Sequence, residues 1–177
     1  HDHWDHTGGL SHLLRKRPGL KVYACSNFSD KFRAGVTREG GRLIETDHLL
    51  KIRDGIYVTG EMAGEYKGWY IAEQSLAVET ASGMAVITGC SHPGILKIIK
   101  RVKEPFPGEG VSAALGGFHL KDKDKKTIES IVKSIKYMGV EKVGPTHCTG
   151  KEAQNLFEKS FGPGYMTIKA GTVIEDI

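Results

Sequence analysis

His1-Asp2-His3-Trp4-Asp5-His6 opens the chain and runs into Thr7-Gly8-Gly9-Leu10. Three imidazoles and a carboxylate at the second position fall within six residues. Alternate side chains of an extended segment point the same way, so His1 and His3 can close on one ion from one side. Asp5 and His6 come where the chain turns toward a helix, marked by Leu10, Leu13 and Leu14 at helical spacing and ended by Pro18-Gly19. Two clusters so close suit two neighbouring metal ions better than one. Imidazole and carboxylate donors suit zinc, and also iron or manganese. An expression tag would repeat histidine without this spacing.

Farther along, the same residue type recurs in a repeated setting. Ser75 to Thr88 reads as two β-strands around an Ala81-Ser82-Gly83 turn, and the second runs into Gly89-Cys90-Ser91-His92. Pro93 stands where a helix can begin, and Ile95, Ile98, Ile99 and Val102 mark its apolar face. Val111 to Leu115 is the next strand, ending at Gly116-Gly117-Phe118-His119, with a helix predicted over 127–138. Val140 to Val143 precedes Thr146-His147-Cys148, and a helix is predicted over 151–161. A histidine thus appears three times just past a strand end, where α/β proteins build their sites.

The remaining segments are read more coarsely. Lys21–Ala24, Leu43–Glu45 and Ile56–Thr59 are predicted strands, as are Met166–Ile168 and Thr172–Ile174. Ser26 to Gly41 reads as a loop or short helix over the site. Gly60 to Ile71, with Gly64, Tyr66, Gly68, Trp69 and Tyr70, reads as a substrate-facing loop.

Size and composition fit one domain with a real core: 177 residues, 39% hydrophobic and 26% charged. No apolar run of about 18 residues suggests a membrane span. Three scattered cysteines do not suggest a disulfide framework and fit a reducing cytoplasm. The net charge is +4. Basic residues gather at Lys97, Lys100, Arg101 and Lys103 and again at Lys121, Lys123, Lys125 and Lys126. They read as solvated helix faces or as a field that attracts an anionic small molecule. No aromatic platform accompanies them, which argues against nucleic acid.

The pattern His1-x-His3-x-Asp5-His6 resembles the signature of the metallo-β-lactamase superfamily. Thr88-Gly89-Cys90-Ser91-His92-Pro93-Gly94, Gly116-Gly117-Phe118-His119-Leu120 and Pro145-Thr146-His147-Cys148-Thr149-Gly150 narrow the resemblance. They are similar to a subgroup of dihydropteroate-synthase-like or ribofuranosylaminobenzene-phosphate-synthase-like metallo-hydrolases. The resemblance covers essentially the whole chain. It implies an αββα sandwich over residues 1–177, with the strands that would precede His1 missing. It implies one ion on His1, His3 and His92, and another on Asp5, His6 and His147. His119 is a ligand, a support to one, or a substrate contact; His12 and His48 read as bystanders.

One departure matters. Where many members have a bridging aspartate after Thr-Gly, this chain has Cys90. A thiolate there is an additional candidate ligand; a small buried residue is the other reading. The implied activity is hydrolysis by a metal-activated water on a small, phosphate-bearing substrate, with Asp5 and His119 as catalytic groups. No serine–histidine–aspartate arrangement or phosphate-binding Gly-Lys-Ser/Thr loop competes. An iron-pair redox protein of the same fold and a catalytically weak regulatory protein are the alternatives.

Overall fold

The computed structural model describes residues 1–175. Residues 1–3 are extended. Two short helices follow, α1 (Trp4–Thr7) and α2 (Leu10–Lys16), broken apart at Gly8-Gly9. Strand β1 (Lys21–Ala24) pairs in parallel with β2 (Arg42–Glu45), and α3 (Asp30–Arg38) crosses between them. The segment predicted as a loop or short helix is therefore a nine-residue helix. Ser29 caps it, accepting from the Phe32 N–H at 3.2 Å. This helix packs beside α2 and β2 rather than over the histidines.

The main sheet has six strands. In chain order they are β3 (Leu50–Arg53), β4 (Ile56–Val58), β7 (Leu76–Thr80), β8 (Gly83–Thr88), β9 (Val111–Gly117) and β10 (Lys142–Thr146). Their spatial order is β10-β9-β8-β7-β4-β3. In the antiparallel half, short turns join β3 to β4 and β7 to β8, while residues 59–75 connect β4 to β7. The parallel half, β8-β9-β10, is joined by helical crossovers. Those crossovers are α4 (Ile95–Lys103) and α5 (Lys125–Tyr137), with α6 (Lys151–Phe161) after the last strand.

The helices form because each presents a continuous apolar face. On α4, Ile95, Ile98, Ile99 and Val102 recur at helical spacing and are all buried. They meet Ile128, Val132 and Ile135 of α5, Phe157 of α6, and Met84, Val86, Val111, Ala114 and Val143 of the sheet. Asp124 caps α5 by accepting from the Thr127 N–H at 3.0 Å. A smaller cluster of Ala24, Cys25, Phe28 and Ala72 lies on the other side, under α3. The layers are thus three helices, the six-stranded sheet, the β1–β2 pair, and α2 with α3.

Three sequence expectations change. The stretch Gly60 to Ile71 is not a loop but most of a hairpin, β5 (Met62–Tyr66) with β6 (Trp69–Glu73). Its two-residue turn is Lys67-Gly68, both with positive φ, at 53° and 81°. A lysine in the usual place of asparagine hides that signal. Leu50–Arg53 is an additional strand whose alternate residues are half-buried. Met166–Ile168 and Thr172–Ile174 are not strands. After the Gly162–Gly164 turn, the backbone pairs with β10 through a bridge of Tyr165 to Val143, Ile168 packs its side chain against Gly144, and the chain then turns at Lys169–Thr172. Among the described residues no helix is long and apolar enough to cross a membrane.

Ile98 is fully buried between α4 and the sheet. Ile98→Ala should lower the unfolding free energy by about 2–5 kcal/mol. Tyr137→Ala, at a position 94% exposed, should change it by about 0.5 kcal/mol or less. Urea denaturation of the two variants checks the assigned core.

Candidate metal centre

Parallel pairing aligns the C-terminal ends of β8, β9 and β10 along one edge of the sheet. His92, His119 and His147 follow those ends in turn. Hydroxyl groups hold the ends together. Thr88 Oγ1 donates to the Gly117 carbonyl at 2.9 Å, and Ser91 Oγ to the same carbonyl at 2.6 Å. The Phe118 N–H donates to Thr149 Oγ1 at 3.1 Å. Gly117 must be glycine: a Cβ there would lie 2.3 Å from the Gly89 carbonyl oxygen and 2.8 Å from Cys148 Sγ.

The backbone is forced at these ends. The non-glycine residues with positive φ among the described residues are Lys67, Ser91, His119 and His147. Three of the four sit where a parallel strand breaks off, and the fourth turns the neighbouring hairpin. Left-handed backbone outside glycine is uncommon and concentrates at functional sites.

The opening segment folds against this edge. Asp2 does not face the histidines; its Oδ2 accepts the Ser29 N–H at 2.8 Å and so anchors the segment to the start of α3. His1 is buried. Its ring centroid is 4.6 Å from that of His3, 4.0 Å from His6 and 4.7 Å from His92. Asp5 Oδ2 lies 3.6 Å from His6 Nε2 and 3.7 Å from His147 Nε2. His3 stands at the rim, 6.1 Å from His92 and 5.3 Å from Tyr66 by ring centroids.

Donor atoms gather in overlapping threes. Those of His1, Cys90 and His92 lie within 4.8 Å of one another, as do those of His6, Cys90 and His147. Cys90, His119 and Cys148 form a third such set. Cys90 Sγ is common to all three and lies 3.3 Å from His6 Nε2. The structure thus brings His1, Asp5, His6, His92, His119 and His147 around one sulfur, with His3 beside them. His12 and His48 lie elsewhere, His48 exposed and paired with Asp47.

Glu73 is the residue that the sequence reading missed. It is fully buried at the end of β6. Its Oε1 accepts the Cys90 and Ser91 N–H groups at 2.9 and 2.7 Å. Its Oε2 accepts the His92 N–H at 2.8 Å and faces His92 Nδ1 at 2.8 Å. Burial alone would raise this carboxyl, but the His92 ring and the N–H groups outweigh it and hold Glu73 down at about 2. With Nδ1 committed to Glu73, Nε2 of His92 is the nitrogen left for the cleft, a carboxylate–histidine pairing common behind metal ligands. Burial lowers His6, against the pull of Asp5, and so favours the neutral ring that a ligand needs. Contact with Cys148 and burial push the Cys90 thiol up, while the same contact and His119 draw Cys148 down.

These residues fit a divalent ion. His1 Nε2 and His119 Nδ1 are buried with no hydrogen-bond partner, a costly state unless something else meets them. Nitrogen, sulfur and carboxylate donors in this mix are those zinc takes. The cleft they line is about 690 Å³ and is rimmed by Glu65, Lys67, Lys121, Asp122 and Lys123. Of the two basic clusters in the sequence, only Lys121 and Lys123 reach it. On α4, Arg101 donates to the Thr59 carbonyl and Lys103 to the Met138 carbonyl.

Fold and donor cluster together define a metallo-β-lactamase fold, and solved structures agree. A metal-dependent hydrolase of the beta-lactamase superfamily superposes with a TM-score of 0.75 at 28% identity, covering 92% of this chain and 73% of that one. A curated relative is 7,8-dihydropterin-6-methyl-4-(β-D-ribofuranosyl)-aminobenzene-5'-phosphate synthase of Methanocaldococcus jannaschii. It is 28% identical over 214 residues, spanning 99% of this chain and 73% of the relative. An uncharacterized protein of the same organism is 28% identical over 187 residues, spanning 86% of this chain and 68% of that protein. No family model matches the chain.

Glu73 generates a pH prediction for the metal-free protein. Its carboxyl is lowered from 4.5 to about 2, so its stabilisation is present above the ordinary value and is lost as pH falls toward 2. The contribution at neutral pH is on the order of 3 kcal/mol. Glu73→Gln should be destabilised by about that amount at pH 7, and should lose less stability than the parent between pH 5 and pH 2. Urea unfolding across that range decides it. Equal pH slopes in both proteins would remove the role given to the charge.

Proposed function

We propose that this chain is a metal-dependent hydrolase acting on a small, phosphate-bearing substrate. The observation that carries the reading is the position of Cys90, one sulfur shared by two imidazole sets, His1 with His92 and His6 with His147. Such an arrangement suits two adjacent ions, with Asp5 between His6 and His147 and His3 completing the first set. A divalent ion there supplies Lewis acidity and makes water nucleophilic at neutral pH. Zinc suits the donors best, with iron or manganese as alternatives.

The chain's own residues supply the rest. Glu73 fixes the ring of His92 and the backbone of the turn that carries Cys90. Asp5, between two imidazoles, orients the attacking water. His119 faces the same cleft and contacts the substrate, its left-handed backbone holding the ring against His92 at 4.4 Å between centroids. Lys67, Lys121 and Lys123 at the rim attract an anionic group. The relative from Methanocaldococcus jannaschii carries a phosphate in the name of its product, which supports an anionic substrate. That relative is named a synthase, so the second reading is group transfer, with the same metal-assisted chemistry serving a nucleophile other than water.

Two measurements test the proposal. X-ray absorption of zinc-loaded protein should show zinc–sulfur scattering at about 2.3 Å, and Cys90→Ser should lose it together with part of the bound metal. Unchanged stoichiometry in Cys90→Ser would make Cys90 a packing residue. The phosphoester should be preferred over a neutral ester of equal size in kcat/KM, with the preference falling as salt rises. Lys121→Ala combined with Lys123→Ala should weaken that salt dependence. A salt-independent preference for the neutral ester would remove the anionic substrate.

A further inference from the structure

Two thiols meet in the metal cleft, and the hydrolase reading uses only one of them. Cys90 follows the end of β8 and Cys148 the end of β10, with β9 between those strands in the sheet. They come together across the end of β9 because Gly117 leaves room there. A Cβ on Gly117 would lie 3.2 Å from Cys90 Cα and 2.8 Å from Cys148 Sγ. The two sulfurs and a ring nitrogen of His119 lie within 4.8 Å of one another. The Cys148 thiol donates to the Cys90 carbonyl at 3.5 Å. Both residues line the cleft. The third cysteine, Cys25, is fully buried in the small cluster under α3.

We infer that Cys90 and Cys148 are a redox modification site, closing reversibly into a disulfide that takes the shared sulfur away from the metal. Closure requires the sulfurs to approach to about 2.05 Å. Cys148 stands on the short turn His147–Thr149 rather than in a strand, so the approach calls on side-chain rotation and not on unpairing of the sheet. The oxidant is a small-molecule disulfide such as oxidised glutathione. Cys148 is half-buried and Cys90 buried, so Cys148 meets the reagent first. Its thiolate attacks one glutathione sulfur, forming a mixed disulfide and releasing one glutathione. The Cys90 thiolate then displaces the second. The two cysteine thiols give up two electrons and two protons, and the glutathione disulfide takes up both to become two thiols.

The position of Cys90 gives this step its consequence. Its sulfur belongs to the set with His1 and His92 and to the set with His6 and His147. The thiolate is the form of cysteine that binds metal, and a disulfide sulfur carries no such charge. One oxidation therefore disarms both metal positions. A metal held by Cys90 in turn withholds the electron pair that the exchange needs. The effect on metal rests on the hydrolase reading, which makes Cys90 a ligand; formation of the disulfide does not.

The test begins with reduced, metal-free protein treated with oxidised glutathione, then denatured for a count of free thiols. Of the three cysteines, only Cys25 should remain free, and digestion should yield a peptide joining Cys90 to Cys148. Dithiothreitol should restore all three thiols. Loss of a group that merely supports a ligand lowers metal affinity about 10–100-fold, so the disulfide form should bind zinc at least about tenfold more weakly than reduced protein. In Cys148→Ser the same treatment should leave zinc affinity unaltered. Three free thiols after treatment, or glutathione-capped cysteines without the joined peptide, overturn the inference. A disulfide form that binds zinc as the reduced protein does also overturns it, while metal binding itself stands. Reduced protein that takes up no zinc removes the hydrolase reading, and the inference with it.

Discussion

A single buried carboxylate sets the shape of the site. Glu73 takes three consecutive backbone N–H groups and one imidazole, and each of these belongs to the turn that bears Cys90 and His92. A charge with no exposure is tolerable only when it is so fully met. The requirement works in both directions. The turn gives the carboxylate its partners, and the carboxylate gives the turn a conformation in which Ser91 is left-handed and His92 is aimed into the cleft. Since Glu73 ends β6, the hairpin and the main sheet are joined through the same four hydrogen bonds.

The legible part of the sequence was the part governed by local periodicity. Ile95, Ile98, Ile99 and Val102 mark one helix face, and Met84 to Val86 the buried part of a strand, although Ile87, read as buried with them, stands exposed. The recurrence of histidine after three strands was legible too, because parallel strands with helical crossovers place their ends on one edge. Lys67-Gly68 hid a hairpin behind an unusual turn residue, and the aromatics around it blurred its alternation. Valine and isoleucine near the C-terminus suggested strands where the backbone pairs only once with β10.

Glu73 was not legible for another reason. In Ala72-Glu73-Gln74 it is an ordinary polar residue, and only the tertiary approach of β6 to the end of β8 makes it a buried anion. Asp2 is the converse case. It stands among ligand-type residues in the sequence but serves as the anchor of α3. The distribution of lysines follows the same rule. Both clusters are equally basic on paper, yet the chain after His119 brings Lys121 and Lys123 to the cleft, while Arg101 and Lys103 of α4 donate to carbonyls elsewhere.

The donor atoms come from stretches far apart in sequence: the first six residues, the turn at Cys90–His92, His119, and the short turn at His147 near the start of α6. Residues 1–3 belong to no helix or strand, and their hydrogen bonds are local apart from that of Asp2 to Ser29. An ion gripped by the first and the last of these stretches would therefore act as a cross-link closing a loop of most of the polypeptide, a constraint felt chiefly by the unfolded chain. Metal binding would then add to the folding free energy, so that the midpoint of urea unfolding rises with the concentration of free metal.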